Sequence, residues 1–182
     1  MNVRLAVQVL SACVAHVLTE YYTVETHGTA EIISMMNKFF DCLNTRSYQE
    51  HIKKRKDDVK PYTLVDDPRF DWLKNDFIKY FDNWKFYIDM KFKDFTLSDR
   101  QKMFVSNQTY YGLKITVNSV IECTQFLLKN GVNAVLTEHF NQDILEEYFG
   151  EHRSLGRRSE NPTVYQFGYQ PNAIRISKSV KR

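Results

Sequence analysis

Apolar residues recur three and four positions apart along most of this chain, which is the spacing of an α-helix with one buried face. Strict alternation of apolar and polar residues, the pattern of a half-buried strand, does not occur before about residue 160. The pattern therefore predicts a mainly α fold. We predict the long helices over residues 3–20, 29–44, 68–84 and 109–129.

Residues with strong positional preferences set the expected ends of these helices. Thr29 is the expected N-cap of the second helix, and Pro68 suits the first position of the third. Thr96 is expected to cap a further short helix. Asn130 and Gly131 are expected to end the last long helix.

The same pattern predicts which segments are buried. Residues 3–20 are apolar around most of the circumference, so we expect a buried helix there. Residues 45–66 are polar and are predicted to form a loop, and residues 163–167 are expected to pair as a short strand. The inward positions of the second helix are predicted to be Ile32, Ile33, Met35, Met36, Phe39, Phe40 and Leu43.

The composition fits a folded domain. A length of 182 residues with 43% hydrophobic side chains is ample for a sizeable core. The net charge of +3 is too small to indicate nucleic-acid binding through bulk charge. Basic residues are concentrated in residues 51–56, 153–158 and 175–182, although such runs are more often solvated than functional.

The cysteines and the apolar residues at the N-terminus indicate the cellular compartment of the protein. Cys13, Cys42 and Cys123 lie far apart in apolar helical patterns, which fits buried thiols better than disulfides, and no Cys/His spacing predicts a zinc site. The apolar start imitates a secretory signal, but Gln8 and His16 interrupt it and it is short for a membrane span. We expect a nuclear or cytoplasmic protein that is neither secreted nor embedded in a membrane.

Carboxylates are concentrated in residues 141–153, which are predicted to form a short helix. Asp143 and Glu146 stand one turn apart there, on the face opposite an apolar stripe. Neighbouring carboxylates repel each other, so such a pair is found either on a solvated face or beside a cation that neutralises it. Periodicity alone leaves both interpretations open.

The residue order in this segment resembles a known family. The segment reads Asn-Gln-Asp-x-x-Glu-x-x-Phe-Gly-x-x-Arg over 141–153, followed by Gly156-Arg157-Arg158 and Asn161-Pro162-Thr163. This order is similar to the C-terminal catalytic block of P-element-type transposases. Shorter similarities lie upstream, at Asn2-Val3-x-Leu5-Ala6, Phe40-Asp41-x-Leu43-Asn44-x-Arg46 and Thr109-x-x-Gly112-Leu113, so the resemblance covers nearly the whole chain.

The resemblance implies two domains. Residues 1–134 would form an all-helical insertion domain that binds guanine nucleotide, and residues 135–182 would be the C-terminal helical fragment of an RNase H-like fold. Glu146 would be the last catalytic acid and a Mg²⁺ ligand, with Asp143 as an auxiliary carboxylate. The two partner acids of that family lie upstream of its insertion, so we expect this chain alone neither to cleave nor to join DNA.

The resemblance also implies a nucleotide site. Asp41 and Asn44 resemble the pair that contacts guanine in this family, with Val3 and Ser11 as further contacts and GTP as the cofactor. A carboxylate accepts from the N1 and N2 donors of guanine. Asp41 and Asn44 would equally make an ordinary polar end to a helix, and Asn2 stands where a basic residue would better suit phosphate.

DNA, in the form of transposon ends, is the other implied partner, and homo-oligomerisation is left open. Arg153, Arg157 and Arg158 would meet DNA phosphates near the active site. Their alternative role is to complement a helix C-terminus, with Gly156 in the following turn. The sequence thus predicts a C-terminal piece of a P-element-type transposase; the alternative is a non-catalytic helical module that binds protein or nucleic acid.

Overall fold

The computed structural model describes residues 3–21, 24–155 and 163–180, and this part of the chain is mainly α-helical, as predicted. A π-helical segment, Trp72–Ile78, joins α5 to α6 without a break, and short 3-10 turns cover Val24–Thr26, Asp57–Val59 and Thr137–Phe140. The helices are α1 Val3–Val9, α2 Ala12–Tyr21, α3 His27–Leu43, α4 Tyr48–Lys54, α5 Pro68–Asp71, α6 Lys79–Lys91, α7 Leu97–Lys102, α8 Asn107–Lys129, α9 Asp143–Leu155 and α10 Val164–Val180.

The chain divides into two compact units, Met1–Glu138 and His139–Arg182. The division falls four residues after the boundary expected from the sequence. Val135 belongs to the first unit, where its backbone pairs with that of Tyr62 in an isolated antiparallel bridge, with N···O distances of 2.8 and 3.0 Å. No helix among the described residues is long and apolar enough to span a membrane.

The core of the first unit is aromatic and lies between α3, the π-helical segment, α6 and α8. Phe77 is fully buried at its centre, stacked on Phe39 with 4.4 Å between ring centroids and edge-on to Phe81 at 5.3 Å. Val117 and Ile121 close the core from α8. These residues stand on the faces that the sequence pattern predicted to be apolar.

The N-terminal half of the long third helix follows the predicted signals. Pro68 occupies the first turn, and the Asp67 carboxylate caps it by accepting the backbone N–H of Arg69 at 3.0 Å. Proline is tolerated there because the first-turn amides have no intrahelical acceptor. The π-helical segment that follows brings both Leu73 and Phe77 into the core.

Two other predicted helix ends are confirmed. The Thr96 hydroxyl accepts the backbone N–H of Asp99 at 3.2 Å and so caps α7. Helix α8 ends at Lys129, and Gly131 has a φ of 89°, the left-handed conformation that glycine adopts without a steric penalty.

The prediction of one buried helix over residues 3–20 is wrong. The helix breaks at Leu10 and Ser11, and α1 and α2 expose Leu5 and Val9, with only Ala15 of the two helices buried among the described side chains. Ser11 explains the break, because its hydroxyl accepts the N–H of Val14 at 3.5 Å and an N-cap residue leaves the helical conformation.

Helix α3 starts two residues earlier than predicted. It begins at His27, so Thr29 lies within its first turn and is not an N-cap. Thr26 precedes the helix, and its hydroxyl donates to the Leu18 carbonyl at 3.2 Å rather than capping α3. Of the predicted inward positions, Phe40 is exposed.

Two further local predictions are wrong. Residues 45–66 contain α4 and a 3-10 turn rather than loop throughout. Residues 164–167 are helical and form the start of α10. The β-forming aromatic residues there suit a helix because Tyr165 and Tyr169 stand one turn apart, with ring centroids 4.9 Å from each other.

The three cysteines are free thiols, but only one of them is buried. Cys42 has no exposed surface, and burial raises the pKa of its thiol to about 12. Cys13 and Cys123 are exposed, on the outer faces of α2 and α8. The expectation of three buried thiols is therefore wrong for two of them.

Candidate nucleotide site and acidic helix

Asp41 lies in the last turn of α3, and its carboxylate is only 13% exposed. The Oδ2 atom accepts from the Lys56 ammonium at 2.9 Å and from the Asn37 amide at 3.1 Å. A nearly buried carboxylate needs such partners, since an unpaired charge away from water is strongly unfavourable. Asp41 is therefore held in a fixed position by one cation and one amide.

Asn37 joins this carboxylate to the start of α2. Its Oδ1 atom accepts the backbone N–H of Ala12 at 3.1 Å, while its Nδ2 donates to Asp41. Ser11 immediately precedes Ala12 and caps the same helix end. Asn37 therefore links Asp41 to the residue that follows Ser11, while the Ser11 hydroxyl accepts the N–H of Val14.

Asn44 follows α3 directly and lies beside the same cluster. Its backbone N–H donates to the Asp41 carbonyl at 3.4 Å, and its side-chain oxygen is 3.5 Å from Arg46 Nε. These contacts are those of a polar residue that ends a helix, next to the Asp41 carboxylate. Val3 begins α1, but its side chain and Asn2 lie outside what the structure describes.

Lys56 is a member of the cluster that the sequence did not single out. It stood within the basic run 51–56, where no local signal separates it from its neighbours. Arg55 has left-handed backbone angles, φ 51° and ψ 40°, which end α4 and turn the chain. The Lys56 carbonyl then lies 2.9 Å from His51 Nδ1, and its ammonium reaches Asp41.

The chain after Lys56 is held in place by Arg69. Its guanidinium donates to the backbone carbonyls of Asp58, at 3.0 Å, and Lys60. It also forms a bidentate ion pair with Asp67 through two contacts of 2.8 Å. Burial raises the pKa of Asp67, but the hydrogen bonds from Arg69 outweigh burial and hold that pKa below its usual value.

In the second unit, residues 143–155 form α9, so the predicted acidic helix is confirmed. Glu146 is exposed in its first turn, and its Oε1 atom accepts from the Gln142 amide at 2.9 Å. Asp143 begins the helix, but its side chain is outside what the structure describes. Among the described residues, no three His, Cys, Asp or Glu side chains come together as a metal site.

The apolar side of α9 differs in detail from the predicted stripe. Leu145 and Phe149 are exposed, whereas His152 is fully buried with its ring 4.4 Å from that of Tyr148. Tyr148 and His152 are four residues apart, and this spacing could have predicted that the two side chains share one face of α9. Arg153 is exposed in the last turn, and the other two predicted DNA contacts, Arg157 and Arg158, lie outside the described residues.

Comparison with known proteins gives two findings. Residues 1–56, which contain Ser11 and the cluster of Asn37, Asp41 and Lys56, match the family described as TNP-like, GTP-binding insertion domain. The fold is similar to that of a chain in the Drosophila P element transposase strand transfer complex, with a TM-score of 0.62 and 24% sequence identity. No curated protein sequence matches the chain significantly.

The structural similarity covers 92% of this chain and 35% of the transposase chain. The protein thus spans about a third of the length of the transposase that it matches. The family match at residues 1–56 and the similar fold over most of the chain agree with the resemblance read from the sequence. Residues 1–56 are thus similar in sequence to a GTP-binding insertion domain, and the fold of the chain is similar to that of part of a P element transposase.

Proposed function

We propose that this chain provides the guanine-nucleotide site of a P-element-type transposase. Residues 1–134 would form the helical insertion domain, and residues 135–182 would return to the RNase H-like catalytic domain. The observation that carries the proposal is the polar cluster around Asp41, which lies wholly within the segment that matches the GTP-binding family. Asp41, Asn44, Ser11 and Val3 are the proposed nucleotide contacts.

The chemistry of Asp41 suits guanine. An ionised carboxylate is only an acceptor, and the Watson–Crick edge of guanine presents two adjacent donors, N1–H and the N2 amine. Adenine presents an acceptor at N1, which would face the carboxylate oxygen without a hydrogen between them. A site built to receive two donors rejects a base that lacks one, because a buried polar group is then left unpaired.

The proposal assigns Glu146 to the catalytic metal site but gives no cleavage step to this chain. Two-metal nucleases hold their Mg²⁺ ions with about three carboxylates from separate segments. Glu146 is exposed on α9 with Gln142 beside it, and no group of three His, Cys, Asp or Glu side chains comes together among the described residues. They do not by themselves fit a Mg²⁺ pair, so the remaining ligands would come from other parts of a transposase.

The proposal also includes DNA contact at the end of α9. A protein that contacts DNA in this way is expected to act in the nucleus. Arg153 is exposed in the last turn of α9, on a helix that also carries Glu146. Guanidinium groups there would meet phosphates next to the metal-binding carboxylate. Arg157 and Arg158 follow closely in sequence and would extend the same basic surface.

Calorimetric titration of the full chain with GDP and with ADP tests the nucleotide site. We expect GDP to bind and ADP to give no heat, and we expect Asp41→Ala to lose the binding of GDP. Asp57→Ala is the matched control, because the Asp57 side chain is 97% exposed and lies outside the cluster. Absence of heat with GDP at millimolar concentration, or equal binding of ADP, would contradict the proposal.

A further inference from the structure

The carboxylate of Asp41 accepts two hydrogen bonds from side chains of the protein itself. Its Oδ2 atom accepts from Lys56 Nζ at 2.9 Å and from Asn37 Nδ2 at 3.1 Å. A carboxylate oxygen has two lone pairs, so two donors saturate it. A guanine edge needs both oxygens of Asp41, one for each of its two donors, and it cannot have Oδ2 while both present donors remain.

Asn37 is the donor that stays. Its amide is engaged at both ends, since Oδ1 accepts the Ala12 N–H at 3.1 Å while Nδ2 donates to Asp41. Rotation of this amide away from Asp41 would also break the contact with the start of α2. Asn37 precedes Asp41 by one turn of α3, which fixes the two side chains relative to each other.

Lys56 is the donor that can leave. Its side chain is 41% exposed, and its ammonium stands on a flexible four-carbon stem that can swing into water. The backbone of Lys56 can stay in place during this movement, because its carbonyl is held at 2.9 Å from His51 Nδ1. Opening the ion pair therefore needs only a change of side-chain rotamer.

We propose that Lys56 competes with the guanine base for Asp41, so that the base binds only when the Lys56–Asp41 ion pair opens. This inference rests on the proposed nucleotide site. Lys56 neutralises the largely buried Asp41 carboxylate while the ion pair is closed, and the two guanine donors take the place of its ammonium when the base binds. Lys56 thereby lowers the affinity for guanine by the free energy of opening the pair.

The test measures guanosine, which has no phosphate, so that loss of a lysine cannot act through phosphate attraction. Guanosine displaces a fluorescent GDP from the full chain, and its dissociation constant is compared between the natural protein and Lys56→Met. We expect binding to be about twofold to fivefold tighter in Lys56→Met, the range expected for a partly exposed ion pair. Lys54→Met is the matched control, because Lys54 is similarly exposed and pairs with Glu50.

The outcomes separate the two proposals. Unchanged or weaker guanosine binding in Lys56→Met, with binding still lost in Asp41→Ala, overturns the competition and leaves the nucleotide site standing. If fluorescent GDP binds neither protein, the nucleotide site fails and the competition fails with it. Should Lys56→Met not fold, the salt dependence of the natural protein decides: screening of the pair should tighten guanosine binding, and a constant affinity overturns the proposal.

Discussion

Thr45 and Thr137, 92 residues apart in sequence, bind each other reciprocally. The backbone N–H of each donates to the hydroxyl of the other, at 3.2 and 2.9 Å, and the two hydroxyl oxygens are 3.0 Å apart. Both residues are fully buried. This pair ties the chain after α3 to the last segment of the first unit.

Loss of either hydroxyl should destabilise the first unit. Thr45→Val leaves the Thr137 N–H buried without an acceptor, and Thr137→Val does the same to Thr45. An unsatisfied buried donor costs about 1–3 kcal/mol, so we expect each variant to lose this amount in urea unfolding. The double variant should lose less than the sum, because the residues share one interaction. Strict additivity would show that the pair is not coupled.

The Asp67–Arg69 pair makes stability depend on pH. The pKa of Asp67 is depressed in the folded protein, so its contribution is present above the ordinary aspartate pKa and is lost as pH falls through the folded pKa. We expect Arg69→Met to remove this contribution and to destabilise the unit by about 3–5 kcal/mol at neutral pH, because it leaves a buried carboxylate unpaired. Urea unfolding from about pH 3 to pH 7 measures both effects.

Arg46→Met is the control for that prediction. Arg46 also pairs with a carboxylate, Glu138 at 3.6 Å, but its side chain is 57% exposed. An exposed pair contributes little, so this variant should stay within about 1 kcal/mol of the natural protein. If Arg69→Met lowers the free energy of unfolding as little as Arg46→Met does, the Asp67–Arg69 pair does not stabilise the unit as its geometry indicates.

The cysteines should react in two classes. Cys13 and Cys123 are exposed, whereas Cys42 is buried and its pKa is raised to about 12, so almost no thiolate forms there. We expect a disulfide reagent near pH 8 to label Cys13 and Cys123 in the native chain and Cys42 only after denaturation. The variant Cys13→Ser with Cys123→Ser should then be unreactive when folded; rapid labelling of that variant would contradict the burial of Cys42.

Arg153 in the last turn of α9, and Arg157 and Arg158 after it in sequence, should contribute to DNA affinity through charge. Each phosphate contact adds about 0.9 to the slope of log affinity against log salt on duplex DNA. We expect replacement of Arg153, Arg157 and Arg158 by alanine to reduce that slope by about 2 to 3. A triple replacement of three exposed lysines, Lys74, Lys79 and Lys93, is the charge-matched control. An equal reduction in both variants would indicate general attraction rather than a site.

The sequence predicts a helix start correctly where one residue determines it within its own turn. Pro68 and Thr96 start helices as predicted because a proline ring or a hydroxyl acts on its own turn. The signal failed at residues 164–167, where valine and aromatic residues favour a strand on propensity although the segment is helical. It also failed at Ser11, whose capping role divides one apolar run into two helices.

Only part of the candidate site could be predicted from the sequence. The contact between Lys56 and Asp41 could not, because it depends on the tertiary structure. Asp41 and Ser11 are predicted nucleotide contacts through family resemblance, and Asn37 links Asp41 to Ala12, the residue after Ser11. Lys56 reaches Asp41 only because Arg55 adopts a left-handed conformation, which no helix propensity indicates for arginine. Asp41 is in α3 and Lys56 follows α4, so their contact joins residues 15 positions apart and cannot be recognised from the periodicity of one helix.

The π-helical segment Trp72–Ile78 sets which face of α6 is turned toward the core. A π turn contains more residues than an α turn, so the segment carries residues that a regular helix would not accommodate between Phe70 and Phe81. Removal of one residue would turn α6 by about 100° about its axis. Phe81 would then leave the core, so this helix tolerates substitutions on its outer face far better than a change in length.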